Sequence, residues 1–296
     1  MALANVLAAK KTKNAVISLA IDARHEIARV DMCIGLASIA RPLKTGAPRM
    51  AFKVEQSWDT GVVGIRGITP DDHDLGVLLA LVLLAGQIKP IPQAGSKVGG
   101  LLIGIDKNLI NVAEDFHVVT VATTYAAVCK VLGTKECGGG NAAIWQSLCN
   151  LATIVMDAKS GERKALTHLI QHSKGTRNET LRVTLSYRLT RALLGEGSYA
   201  AVDMKVFREL PRGAARILYV WLASWFAGSY FTRLIGLNKL VEHVWGENIK
   251  WIRSTTLNDR RRVIRNNLKS IESVSQLWVF KIEKDNVKIQ RIKVRD

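Results

Sequence analysis

Between Thr256 and Ile271 the sequence TLNDRRRVIRNNLKSI carries two opposed faces at helical spacing, and few architectures accommodate such a segment. At about 100° per residue, Leu257, Ile264, Leu268 and Ile271 form one apolar stripe, while Asn258, Arg262, Arg265 and Lys269 share an arc roughly 120° away. One face can seal a core while the other meets a groove. Arginine pairs bidentately with guanine, asparagine with adenine, and both arginine and lysine contact phosphates, so the arc has the chemistry of a DNA-reading helix. A solvated face is the ordinary alternative for a charged arc. Against it, Asp259 is the only acid between Arg253 and Lys269, and the helix leads into a basic hairpin on which Lys284 and Lys288 are further candidate DNA contacts.

The charge of the whole chain points the same way. Among 296 residues, 42 Lys and Arg against 25 Asp and Glu leave a net charge of +17. From Lys250 onward there are thirteen basic and five acidic residues, so this sixth of the chain carries +8 of the +17. A polyanion is the natural partner. A hydrophobic content of 48% fits a globular protein, and the length suits two domains.

The longest apolar runs, Leu75 to Gly86 and Ile217 to Phe231, fall short of the roughly 20 residues that cross a bilayer and read as core helices. The opening MALANVLAAKKTKN has no positive charge ahead of its apolar stretch, the reverse of a secretory signal, so a cytoplasmic location is expected and no membrane partner. Cys33, Cys129, Cys137 and Cys149 form no CxxC pair and read as reduced packing residues.

Along the chain, residues 1–50 read as an irregular N-terminal arm. AFKVEQSW and GVVGIRGI read as paired strands, followed by a helix capped at Thr69 and Pro70 and stopped at Gly86. Residues 87–117, with Pro90, Pro92 and four glycines, read as a long excursion. From Val118 the order is that of a winged helix: a short strand, a helix capped at Thr123 or Thr124 and ended by Gly133, and a glycine turn at Gly138, Gly139 and Gly140. A second helix then starts near Asn141, with Ile144, Leu148 and Leu151 facing inward.

The strands ATIVMD and ERKALTHL then form the expected wing. After the polar segment HSKGTRNET, taken as a linker, strand, helix, helix and hairpin recur. There Asn238 is expected to cap a helix bearing Leu237, Leu240, Val241 and Val244. The reading is α+β: two tandem winged-helix domains, each a helix-turn-helix plus β-hairpin, at 51–175 and 176–296, the second supplying most of the DNA affinity.

In the first domain the outward side of the second helix is expected to offer Gln146, Ser147 and Asn150, which can read bases but carry no cation. Lys159, Arg163 and Lys164 on the adjoining hairpin are candidate phosphate contacts, and a merely solvated hairpin is an equal alternative. Signs of catalysis are weak. There is no GxxxxGK[ST] loop, Gly61, Gly64 and Gly67 sit in hairpin strands, and His168 and His172 read as wing residues rather than metal ligands. Tyr125, Tyr187, Tyr199, Tyr219 and Tyr230 lack the clustered histidines of a metal-dependent nicking site. No enzymatic activity, metal or cofactor is expected.

The stretch VTLSYRLTRALLGEGSYAAVDMKVFRELPRGAARILYVWLASWFAG, followed by LNKLVEHVWG and STTLNDRRRVIRNNLKSI, resembles in order and spacing the RepC initiators of IncQ plasmids. DDHDLGVLLALVLLAG and TTYAAVCKVLG extend the resemblance into the first half. Arg260, Arg261 and Arg265 fall on basic positions of that family, which makes Arg260 and Arg261 candidate contacts as well. Asn258, Asp259, Val263 and Ile264 leave this helix less basic, implying a different DNA target. The resemblance implies a bacterial plasmid replication initiator that binds direct repeats (iterons) in double-stranded origin DNA. It also implies opening of adjacent AT-rich DNA and recruitment of a plasmid helicase and primase. A winged-helix transcriptional regulator is the alternative from fold and charge, and a nicking enzyme or relaxase the alternative from another class. Monomer and homodimer are both compatible with the residues.

Overall fold

The computed structural model describes residues 26–44, 46–58, 61–87, 118–135, 138–160, 163–174, 180–195, 198–228 and 230–292. Of the excursion expected at 87–117, Gln87 ends a helix and residues 88–117 lie outside the described residues, as do residues 1–25. The chain is mixed α+β. Among the described residues no helix is long and apolar enough to cross a membrane.

The N-terminal segment is partly regular. Residues Ile27–Asp31 (β1) and Met32–Leu36 (α1) form elements because they find partners far along the chain: β1 pairs antiparallel with Tyr199–Asp203 (β9), Ile27 opposite Asp203. Asp31 caps α1 by accepting from the Ile34 amide at 3.2 Å, and it meets Arg188 at 3.0 Å. Burial raises the Asp31 carboxyl above its ordinary value despite that arginine.

Ala51–Trp58 (β2) and Gly61–Ile68 (β3) pair as expected. They lead into Asp72–Gln87 (α2), apolar on nearly every side and accordingly buried, with Val77 to Val82 wholly inaccessible. Its cap is Asp71 rather than Thr69. The Asp71 carboxylate accepts from the Asp74 amide at 2.9 Å, and Asp74 accepts from the Asp71 amide at 3.1 Å. Thr69 instead donates its hydroxyl to the Met50 carbonyl, and Gly86 stays inside the helix.

Next come Thr120–Thr124 (β4), Tyr125–Leu132 (α3) and Gly138–Ala152 (α4). Thr124 caps α3, and Gly133 ends it in the left-handed region at φ 67°. The glycine run 138–140 is the first turn of α4, not a turn before it.

Val155–Ser160 (β5) and Arg163–His168 (β6) form the expected hairpin, but it does not stand as a separate wing. It extends β2 and β3 into a four-stranded sheet of order β2-β3-β5-β6. Ile170–Lys174 (β7) and Thr180–Leu185 (β8) make a second hairpin that pairs with β4 in the order β4-β8-β7. Of the segment expected to be a linker, His172, Ser173 and Lys174 thus lie in β7 and Thr180 in β8, and the strands that flank the boundary expected between residues 175 and 176 belong to one sheet.

Tyr187–Leu194 (α5), β9, Met204–Glu209 (α6) and Ala214–Trp225 (α7) follow. Then come Arg233–Gly236 (β10), Leu237–Trp245 (α8), Ser254–Ser275 (α9), Trp278–Glu283 (β11) and Asn286–Arg291 (β12). The last sheet has the order β10-β12-β11. Apart from β5 and β6, which follow α4 and join the sheet of β2 and β3, strand, helix, helix and hairpin therefore occur twice, β4-α3-α4-β7-β8 and β10-α8-α9-β11-β12, each time with the last strand central. Buried residues from β1 to β12 form one connected core.

Candidate nucleic-acid interface

The basic arc is built on a helix whose other face is fastened to the core. Ile264, Leu268 and Ile271 are wholly buried, and Leu257 packs against them half-buried, so the apolar stripe lies as the spacing predicts. Leu237, Leu240, Val241 and Val244 of α8 meet the same core. Gly236 takes the N-cap of α8, and the Leu237 amide donates to the Asp285 carbonyl in the hairpin turn at 2.7 Å. Asn238 therefore sits inside the first turn, and its Oδ1 accepts from Arg261 Nε at 2.7 Å.

The basic residues divide into two groups. Arg260 and Arg261 tie the fold: Arg260 pairs through both terminal nitrogens with Glu247, and Arg261 holds Asn238 and approaches Asp285 at 3.8 Å. Asn258, Arg262 and Lys269 are exposed. The partner of Arg262 is Asp259 at 3.0 Å, but both are largely in water (73% and 67% exposed), and such a pair yields readily to a phosphate. Arg265 is half-buried, its Nη2 donating to the Lys284 carbonyl at 3.3 Å, which orients the guanidinium along the hairpin turn. Lys284 sits at that turn with φ 51°, and Lys288 is exposed on β12 opposite Lys281. Arc and hairpin together form a cationic surface.

The first half differs. Gln146 is exposed, but Ser147 and Asn150, expected outward, are 2% and 4% accessible. Asn150 Nδ2 donates to the Asp74 carboxylate at 3.2 Å, and the Ser147 hydroxyl lies 3.0 Å from His73 Nδ1. Asp74 also holds Arg49, so these side chains serve the junction of α2 and α4. Backbone pairing sets Lys159 opposite Lys164 and Ser160 opposite Arg163, and the side chains of Lys159, Arg163 and Lys164 lie outside the described residues. Reading HSKGTRNET as a linker hid one exposed cation of the β7–β8 hairpin, Lys174; Arg182, exposed on the strand expected at LRVTL, is a second that the sequence reading does not single out. Lys250 and Arg253, exposed ahead of α9, were likewise passed over although the charge count included them.

The other candidates do not assemble into a site. His168 Nδ1 meets the Ala152 carbonyl at 2.8 Å, whereas His172 packs edge-on against Trp145, and burial lowers its pKa. Among the described residues no group of three or more His, Cys, Asp or Glu is placed to hold a metal ion. Tyr125 and Tyr219 are buried, and burial raises the Tyr219 phenol well above its ordinary value.

A mixed α+β chain with a repeated helix-helix-hairpin plan and a cationic helix face has the build of a DNA-binding protein. Residues 20–293 match the family model Replication protein C (RepC), and the chain belongs to that family. It is a replication initiator. Among solved structures, its fold is similar to domains 2 and 3 of RctB. A selenomethionine form matches with a TM-score of 0.50 at 11% identity, covering 88% of this chain and 98% of that one. A second structure of the same two domains matches with a TM-score of 0.50 at 12% identity, over 88% and 97%. No curated protein matches the chain.

Proposed function

We propose that this initiator binds direct repeats at a plasmid origin through two winged-helix modules, with α9 as the principal reading helix and without catalysing a reaction itself. The observation that carries the reading is the recurrence of β4-α3-α4-β7-β8 in β10-α8-α9-β11-β12, with sheet orders β4-β8-β7 and β10-β12-β11. A strand, two helices and a hairpin whose return strand is central is the plan of a winged helix. On this plan the first module runs on to Leu185, and its wing is β7–β8. The wing of the second is β11–β12, next to the cationic arc.

The two modules are unlike. Asn258, Arg262, Arg265 and Lys269 face outward from α9, while only Gln146 of the three polar residues expected on α4 does. Unlike modules in one chain suit asymmetric direct repeats, whereas a symmetric dimer suits a palindrome. Two modules on one duplex face can fix its path, and the resulting strain lowers the cost of opening nearby AT-rich DNA. Recruitment of a helicase and primase to the opened strands completes the proposal.

Footprinting on the plasmid that encodes the chain tests it. Protection of tandem asymmetric sites of about 20 bp each is expected. Protection confined to a palindrome would assign the chain to transcriptional regulation instead.

A further inference from the structure

We propose that Trp251 is a stacking surface for an unpaired nucleobase, giving this chain a single-stranded DNA site at the entrance to α9. The inference rests on the reading of α9 as a DNA-contacting helix. At 87% exposure, Trp251 is the most exposed large apolar side chain among the described residues. An indole carries roughly 150 to 250 Å² of surface that folding ordinarily buries.

Its exposure does not come from a slack loop. Residues 249–251 form a 3₁₀ turn in which Asn248 Oδ1 accepts from the Lys250 amide at 3.0 Å, and the Trp251 amide donates to the Asn248 carbonyl at 3.0 Å. Ile252 packs against the core on one side, and Arg260 holds Glu247 on the other, so the backbone is fastened at both ends while the indole stands out.

The surroundings select the partner. Lys250 and Arg253 are exposed beside Trp251, and no acidic residue occurs from Asn248 to Asn258. Exposed Ser254, Thr255 and Thr256 then lead to Asn258, the start of the basic arc. Cations that draw in a phosphate backbone, next to an aromatic ring that accepts a base, form the combination on which single strands bind. In an intact duplex both faces of each base are covered by its neighbours. An indole gains a ring face only where a base has left the stack.

The test uses the full chain, an oligo(dT) of about 20 nucleotides and a random-sequence duplex of about 20 bp. Trp251→Ala is expected to weaken oligo(dT) binding by about tenfold to a hundredfold and duplex binding by less than about threefold. Trp251→Phe keeps a ring, so its oligo(dT) affinity stays near that of the parent. The part of the tryptophan quenching by oligo(dT) that belongs to Trp251 is then lost, while the six other tryptophans still report. The quenching result holds even if Trp251→Ala folds poorly.

Oligo(dT) binding and quenching unchanged in both variants would overturn the proposal with duplex binding intact. Equal losses on both DNAs would overturn it too, making Trp251 a groove or backbone contact. A parent that binds duplex but not oligo(dT) removes the single-strand site alone. A parent that binds neither removes the reading of α9 along with it.

Discussion

Arg260 donates from both terminal nitrogens to the two carboxylate oxygens of Glu247, each at 2.9 Å, with its guanidinium 5.2 Å from the centre of the Trp245 ring. A cation so engaged, and 17% exposed, holds the α8–α9 turn to α9. Arg262, two residues further along and so on the opposite side of the helix, is 73% exposed. Arg260→Ala should therefore lower stability by about 1 kcal/mol and leave the salt dependence of duplex binding unchanged. Arg262→Ala should leave thermal melting unchanged and reduce the slope of log K against log salt by about 1. Melting curves and anisotropy titrations at several salt concentrations check both, and exchanged phenotypes would refute the division of the arginines.

Asn150 offers a second contrast. Its amide is buried on the Asp74 carboxylate, so Asn150→Ala should cost about 1 to 3 kcal/mol in stability. Once folded, the variant should bind duplex as the parent does. A selective loss of DNA affinity with unchanged melting would return Asn150 to the interface.

These residues mark how far the sequence could be read. The stripe Ile264, Leu268 and Ile271 was legible because its apolar and charged faces divide sharply within one helix. Ser147 and Asn150 look like surface residues by type, and what buries them lies on α2, Asp74 being 76 positions from Asn150. The pairing of β1 with β9 was equally hidden, since IARVD becomes a strand only against a partner some 170 residues away. The β7–β8 hairpin was hidden for a local reason: the end of β7 is His172, Ser173 and Lys174, and a polar strand end has the same composition as a polar linker. Thr69 lost the cap to Asp71 because a carboxylate two residues on makes a reciprocal pair with Asp74.

The stability of the fold should depend on pH through His243. Its ring stacks on Trp221 at 4.3 Å, and burial, with nearby Lys239 opposing protonation, lowers its pKa from 6.5 to about 4. Between these values the unfolded chain binds the proton and the folded chain does not, so stability from this group is complete above about 6.5 and is lost as pH falls toward about 4. His243→Phe keeps a stacking ring and cannot titrate. The difference in melting temperature between parent and variant should therefore change across pH 6.5 to about 4 and be constant at higher pH. A constant difference over the whole range would show that His243 titrates normally.

The last prediction separates base reading from charge on α9. Arg265 is oriented by its bond to the Lys284 carbonyl, and an oriented guanidinium can present its remaining donors as a fork to guanine O6 and N7. Lys269 is exposed one turn further on, where a flexible ammonium can reach a phosphate but cannot form a fork. On the repeat found by footprinting, Arg265→Ala should cost about 1 to 3 kcal/mol, with little change on random duplex, so specificity falls. Arg265→Lys should not restore it, because a point charge cannot replace the fork. Lys269→Ala should weaken both DNAs alike and reduce the salt slope by about 1. Both positions lie off the buried stripe, so melting should be unchanged. Folded variants that bind the repeat with the parent's affinity and salt slope would remove α9 from the interface. Recovery of specificity by Arg265→Lys would leave α9 in contact but make its contribution electrostatic.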